Sequence, residues 1–285
     1  MATDMRGRVV FVTGASSGIG RKTAEQLSSM GATVVIGARD SASGEQTRRD
    51  MAGANGSPVA LVVGDLSSTE AVRGVAGEVQ RRFDRLDVLL NNAGVDVGQR
   101  RTTDDGFELT FAVNYLAPFL LTTSLLDLLR ASAPSRVLTM VSSGHKGGHL
   151  EFDDLQHERK FSGQRAYNDS KLALVLFTYE LARRLQGSGV TANCVDPGFV
   201  RGTNIGQTLP AVYKAVGTLL MPLMITPTKA AGSVTWAASA PELADVTGAY
   251  LKRGKQVSSS KDSRDPELAR RLWKATEALT AGHVP

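Results

Sequence analysis

A single cysteine, Cys194, stands in the 285 residues, so no disulfide can form within the chain, which fits a reducing compartment. Set in the apolar run Thr191–Val195, it reads as a small buried strand residue and not as a nucleophile. Long hydrophobic runs are missing as well. The apolar stretch Ala211–Ile225 is too short to span a bilayer and is interrupted by Lys214 and Pro222. Met1–Arg8 has no apolar core of the kind an export signal needs, and the expected location is cytoplasmic. There is no block of like charge either. Lys and Arg total 33 against 28 Asp and Glu, but the surplus of +5 is scattered in pairs such as Arg48-Arg49, Arg81-Arg82, Arg100-Arg101 and Arg183-Arg184, without interleaved aromatics. These read as solvated helix faces, so a nucleic-acid partner is not expected, although the surplus suits an anionic cofactor. His145, His149 and His157 lie near Glu151, Asp153 and Asp154, but Gly147-Gly148 breaks any helix that would align the first two. A flexible polar loop is expected there, and no metal site. Without an internal repeat, a Pro/Ser linker or a break in composition, residues 1–285 read as one domain.

What is present begins almost at once. Val9 to Val12 form an apolar run suited to a strand buried on both faces, Thr13-Gly14-Ala15-Ser16-Ser17-Gly18-Ile19-Gly20 supplies a turn of small residues, and Arg21–Met30 has helical periodicity. Strand, glycine turn and helix in that order suit a dinucleotide: glycine allows close approach to a pyrophosphate, and the helix start offers free N–H groups and a positive dipole end. Further strand-like runs at Thr33–Ala38, Val59–Val63, Val88–Asn91, Arg136–Ser142 and Thr191–Val195 leave room for a helix in each interval. That alternation predicts an α/β fold, a single doubly wound domain whose parallel sheet of about seven strands is flanked by helices. Ser67-Ser68-Thr69-Glu70 is a capping box opening a helix through Phe83, and Asp265-Pro266 marks another helix start.

Tyr167 and Lys171 stand four residues apart at the start of a strongly apolar helical stretch, which puts them on one face. A phenol titrates near pH 10, and an ammonium beside it favours the phenolate. Taken alone, a packed tyrosine and a solvated lysine explain the pair. The ordered series decides otherwise: TGASSGIG, Asp65 after the third strand, Asn91-Asn92-Ala93-Gly94 after the fourth, Asn114 in a helix, Ser142-Ser143 ending the fifth, Tyr167 with Lys171, and Pro197-Gly198 after the sixth. The chain resembles the short-chain dehydrogenase/reductase family, with its Rossmann fold, over essentially its whole length. AVNYLAPFLLT, AYNDSKLALVLFTYELARRLQGSGV and ARRLWKATEAL resemble its retinol-dehydrogenase-like branch. Eukaryotic members of that branch often carry an N-terminal membrane anchor; this chain starts at its first strand and is expected to be soluble, without a transmembrane anchor, as a monomer or homodimer.

The resemblance implies an NADP(H)-dependent enzyme. Gly14, Ser16, Ser17, Gly18, Ile19 and Gly20 would cradle the pyrophosphate, Asp65 and Leu66 the adenine, and Asn91, Ala93 and Gly94 the adenosine side. Tyr167 would be general acid or base, Ser143 rather than Ser142 would hold the substrate oxygen, and Asn114 would fix a water in the proton path. Lys171 would lower the tyrosine pKa and, with Tyr167, bind the nicotinamide ribose, and Pro197, Gly198 and Thr203 would border the nicotinamide. Arg39, ending the second strand where NAD-preferring members place an acid, and Arg21 and Lys22 after the glycine turn, favour the 2′-phosphate of NADP(H). Two positions depart from the family pattern: Asp196 precedes Pro197-Gly198, and Thr203 is displaced by Val200-Arg201-Gly202. Residues 199–227 would form a lid. Val212, Val216, Leu219, Leu220 and Leu223 make a stripe there, and Tyr213, Met221 and Met224 are left for a bulky hydrophobic carbonyl or alcohol. The rival readings are a cofactor-binding scaffold or sensor without turnover, opposed by the complete Asn114, Ser143, Tyr167 and Lys171 set, and a sugar-nucleotide epimerase relative, opposed by the glycine spacing and the shortage of chain.

Overall fold

The structure is a computed structural model that describes residues 3–55, 57–201 and 224–281. Short β-branched runs form the centre: β1 (Val9–Thr13), β2 (Thr33–Ala38), β3 (Val59–Val63), β4 (Val88–Asn91), β5 (Ser135–Met140) and β6 (Val190–Asp196). Two short strands follow, β7 (Tyr250–Lys252) and β8 (Lys255–Val257). The sheet order is β3-β2-β1-β4-β5-β6-β7-β8, parallel throughout except for the antiparallel β7–β8 hairpin. The eighth strand exceeds the expected seven. Its hairpin turns at Arg253-Gly254, both in the left-handed region (φ 51 and 73), and three-residue strands are too short to show a period of two in sequence.

Helices cover both faces. Among the described residues they are α1 (Gly18–Ser29), α2 (Ser41–Asn55), α3 (Thr69–Arg82), α4 (Leu109–Phe111), α5 (Ala117–Ser124), α6 (Leu126–Ala131), α7 (Gly163–Arg184), α8 (Pro227–Ser239) and α9 (Pro266–Ala281), with a π-helical turn at Ala112–Leu116 joining α4 to α5. Side chains alternate across each strand. Thus Phe11, Leu89 and Val137 pack with Val79 of α3, Leu121 of α5 and Phe177 of α7, while Val10, Val12, Leu90 and Leu138 pack with Leu27 of α1 and Val234 of α8. Ser68 caps α3, accepting a 3.3 Å bond from the Ala71 N–H. Asp265 caps α9 through the Glu267 and Leu268 N–H groups at 2.8 and 3.2 Å. Because β1 and β4 are sheet neighbours whose connections run to opposite sides, a crevice opens above their carboxyl ends.

Candidate active site

The glycine turn fills one side of that crevice. Gly14 and Gly18 sit in the left-handed region (φ 63 and 57), which glycine adopts without strain. Close approach constrains Gly20 instead: a Cβ there would fall 2.3 Å from Asn92 Nδ2 and 2.5 Å from the Gly14 carbonyl oxygen. The Asn92 side-chain amide donates to the carbonyls of Thr13 (2.8 Å) and Gly14 (3.2 Å), and Thr13 Oγ1 accepts the N–H groups of Asn92 (2.9 Å) and Ala93 (3.0 Å). The loop after β4 therefore clasps the turn after β1. α1 starts at Gly18 with no side-chain cap from Ser17 and no acid in its first turn, so its N–H groups and dipole are left for an anion. These features fit a dinucleotide pyrophosphate.

At the end of β2, Arg39 is exposed and its side chain makes no hydrogen bond with another described residue. The acid beside it faces elsewhere. Asp40 accepts the Ser43 N–H (2.9 Å) and hydroxyl (2.7 Å) at the start of α2, bonds that hold its carboxyl below the usual range. Arg21 and Lys22, expected to favour a phosphate, are engaged on α1 and α2 instead: Arg21 with Glu25 (3.0 Å) and Asp50 (2.8 Å), Lys22 with Glu25 (2.6 Å). Asp65 is exposed and accepts the Ser67 N–H at 2.9 Å, while Leu66 packs against the core. Asn91 turns its side chain away from the crevice. It is a buried strand residue whose amide donates to Thr122 Oγ1 of α5 at 2.9 Å, because its place in β4 points it at the helix layer; Asn92 is the one that faces the turn.

Tyr167 and Lys171 come together on α7 as the spacing requires, with Lys171 Nζ 5.6 Å from the centre of the Tyr167 ring. Their ionisation departs from the expected pattern. Burial pushes the phenol up to about 12; a hydrogen bond with the Ser142 hydroxyl opposes this, and Asp96 and Asp196 reinforce it. Lys171 is itself buried, pushed down to about 8 by desolvation, and donates to the Met140 carbonyl at 3.0 Å. Asn114 lies in the π-turn, and both its amide hydrogens are used: Nδ2 donates to the Val95 carbonyl and to Ser170 Oγ, both at 3.0 Å, while Oδ1 accepts the Val95 N–H (2.7 Å). The side chain is thus a brace between the β4 loop and α7. Gly94 passes beside it, since a Cβ there would lie 3.3 Å from Asn114 Oδ1.

The two serines after β5 part company. Ser142 is in extended backbone and its hydroxyl meets Tyr167. Ser143, expected to hold the substrate oxygen, donates to Asp196 Oδ2 at 2.9 Å and accepts from Lys252 Nζ at 2.7 Å. Asp196 is 1% exposed. Burial opposes its ionisation, yet the bonds from Lys252, the Gly198 N–H and Tyr250 keep the carboxyl below the usual range. Neither Lys252 nor Tyr250 is legible as a partner in the sequence, because only the β6–β7 pairing brings them to Asp196. His145 is buried at the edge of this group, and the described residues contain no cluster fit to hold a metal.

Above these groups lies a cleft of about 610 Å³ lined by Ile19, Met140, Val141, Phe199, Val200 and Met224, with Ser142, Ser143, Tyr167, Lys171, Pro197 and Gly198 around its base. Phe199–Arg201 and Met224–Thr226 run side by side, joined by Arg201 N–H to Ile225 carbonyl and Ile225 N–H to Phe199 carbonyl, each 3.1 Å. Thr203 and the stripe and lid residues Val212, Tyr213, Val216, Leu219, Leu220, Met221 and Leu223 lie outside the described residues. No described helix is long and apolar enough to cross a membrane.

Residues 8–213 match the model of the family described as short chain dehydrogenase. The chain belongs to that family. Among curated proteins, human retinol dehydrogenase 13 is 42% identical over 98% of this chain and 86% of its own length. Human retinol dehydrogenase 14 is 40% identical over 96% of this chain and 87% of its own. The relatives support the retinol-dehydrogenase-like branch. Among solved structures, an uncharacterized protein from Mycobacterium paratuberculosis superposes with a TM-score of 0.80 at 32% identity, covering 98% of this chain and 96% of that one. A short chain dehydrogenase from Burkholderia cenocepacia in complex with NADP gives 0.71 at 25% identity, covering 87% and 96%. This short chain dehydrogenase is therefore an oxidoreductase acting with a nicotinamide cofactor, on a single α/β domain of the kind its sequence implied.

Proposed function

We propose that this dehydrogenase uses NADP(H) to interconvert the carbonyl and alcohol forms of a hydrophobic substrate, ring-bearing or long-chain. The observation that carries the reading is that Ser142, Tyr167 and Lys171 line one largely apolar cleft, beside a helix start left without a cap. NADP(H), when bound, supplies the hydride-transferring carbon. Gly14, Ser16, Gly18 and Gly20 would hold its pyrophosphate, Arg39 its 2′-phosphate, and Tyr167 with Lys171 its nicotinamide ribose.

In reduction, the Tyr167 Oη–H bond breaks as its proton passes to the substrate oxygen; in oxidation the phenolate takes the proton back. The Ser142 hydroxyl donates a hydrogen bond to that oxygen and stabilises the charge that develops on it. Burial pushes the Tyr167 phenol up, so it holds its proton at neutral pH and can give it to a carbonyl oxygen. The apolar wall of Met140, Val141, Phe199 and Met224 excludes water and supplies affinity at about 0.8 kcal/mol per buried methylene. The lone buried thiol supports a cytoplasmic setting.

Loss of NADPH absorbance tests the reading, over a panel of apolar aldehydes, ketones, steroids and aromatic polyketides set against sugars and small hydroxy acids. The expected result is turnover confined to the apolar group, abolished in Tyr167→Phe with NADPH affinity nearly intact. Tight NADPH binding without turnover of any member would point to the scaffold reading. A best substrate that is small and polar would overturn the proposed class.

A further inference from the structure

The carboxylate of Asp196 joins three segments of the site. Its Oδ2 accepts from Ser143 Oγ (2.9 Å), Tyr250 Oη (2.8 Å) and Lys252 Nζ (2.9 Å), and its Oδ1 accepts the Gly198 N–H (2.8 Å). It thereby ties the serine turn after β5 and the Pro197-Gly198 turn after β6 to β7. Lys252 Nζ also donates to Ser143 Oγ at 2.7 Å, so the Ser143 hydroxyl has given away its one hydrogen and accepted another. Ser142 is held by different groups. Its carbonyl accepts from His145 Nδ1 at 2.7 Å, while His145 Nε2 accepts the Ser260 N–H at 3.1 Å, which places the ring proton on Nδ1. Both serines border the same cleft, so the partner each hydroxyl holds decides which one is left to donate there.

We propose that Asp196, tethered by Lys252, is a positioning residue that divides the two serines: it withdraws Ser143 from the chemistry and leaves Ser142 as the hydroxyl that meets the substrate oxygen. A hydroxyl donating to a buried carboxylate cannot donate to a substrate at the same time. If the carboxylate is replaced by an amide, Ser143 is released to turn into the cleft and compete for the substrate oxygen. The Gly198 N–H keeps an acceptor in Asp196→Asn, so the wall that begins at Phe199 is disturbed less than the serines. The idea rests on the acid–base reading of Tyr167, and it concerns which serine assists.

Steady-state kinetics on a verified carbonyl substrate with NADPH provide the test, alongside NADPH titration and thermal melts of each variant. Ser142→Ala is expected to lower kcat roughly 100-fold with KM little changed, as removal of a donor to a developing oxyanion does. Ser143→Ala should cost at least tenfold less than Ser142→Ala. Asp196→Asn should lower kcat by about tenfold with NADPH affinity within about twofold, and Lys252→Gln should move kcat the same way while Lys252→Arg restores it. In the Asp196→Asn background the cost of Ser142→Ala should shrink, because Ser143 is then free to substitute, an effect a merely structural role would not produce. Where Asp196→Asn does not fold, Lys252→Gln takes its place in that cycle. Ser143→Ala costing as much as Ser142→Ala, or the serine effects multiplying independently in both backgrounds, overturns the division. Turnover surviving in Tyr167→Phe would instead remove the acid–base reading beneath it, so the two failures are distinct.

Discussion

Cofactor choice turns on single residues at the end of β2. Arg39 is exposed and free of hydrogen-bonded partners among the described residues, and Asp40, the acid that could have accepted from ribose hydroxyls, is bound to Ser43. A charge-assisted contact to the 2′-phosphate contributes about 1.5–3 kcal/mol, a preference of roughly ten- to a hundredfold. Arg39→Ala should therefore erase most of the kcat/KM advantage of NADPH over NADH, and equal values for the two cofactors in the unaltered protein would remove the assignment. Lys171 shows the opposite economy, in which function burdens the fold. Its folded-state pKa of about 8 lies below the ordinary 10.5 because burial disfavours the charge. Between those values the unfolded chain holds more protons, so stability rises with pH through that window, and below it the lysine imposes its full cost, on the order of 3 kcal/mol. Lys171→Met should raise stability to urea at pH 7, partly offset by the lost bond to Met140, and the gain should shrink as pH rises from 8 toward 10.5. Urea melts at pH 7 and pH 10 check it; a variant less stable than the parent at pH 7 would show that the lysine is not burdened.

At the scale of elements, the glycine turn separates two uses of one residue type. Gly18 needs only its left-handed φ of 57, and a Cβ there meets nothing within 4 Å, so Gly18→Ala carries a strain of about 1–2 kcal/mol. At Gly20 a Cβ would collide with both Asn92 Nδ2 and the Gly14 carbonyl, which forces the β1 turn and the β4 loop apart. NADPH titration should show Gly20→Ala weakening binding by at least tenfold and Gly18→Ala by clearly less; equal losses would contradict the clasp. This turn, the six strand-like runs and the Tyr167–Lys171 pairing were legible because they depend on neighbours within a few residues of sequence. What could not be read depends on partners far along the chain. The sequence favours Ser143 over Ser142, and only β7 brings up the Lys252 that engages Ser143; the bond of the Asn91 amide to Thr122 needs α5 in the same way. The bracing by Asn114 likewise needs Val95 and Ser170 in place.

For the molecule as a whole, α7 has to serve two ends at once, holding Tyr167 near its start in the crevice and anchoring its later turns in the core. The C-terminal helix α9 meets that second need. Trp273 stacks on Phe177 with ring centres 5.8 Å apart and meets Phe119 edge-on at 4.9 Å, while Arg184 covers its other side at 4.2 Å. Thr276 Oγ1 and Tyr115 Oη share a 2.6 Å hydrogen bond that ties α9 to the π-turn carrying Asn114. The apolar layer over this face of the sheet is therefore closed by residues near position 273, a hundred residues beyond the Tyr167–Lys171 pair that α7 carries. Burial of a Trp of this kind is worth about 3–5 kcal/mol on truncation. Trp273→Ala should lower the melting temperature by roughly 6–15 °C. The affected rings line the far half of α7, so NADPH affinity and kcat below the melt should hold within about twofold of the parent, since additivity is expected for sites more than ~10 Å apart. Thermal melts and kinetics on the same preparation separate the two effects. A loss of kcat equal in size to the loss of stability would mean that α9 supports the Tyr167 end of the helix directly, and that the two ends of α7 are not independent.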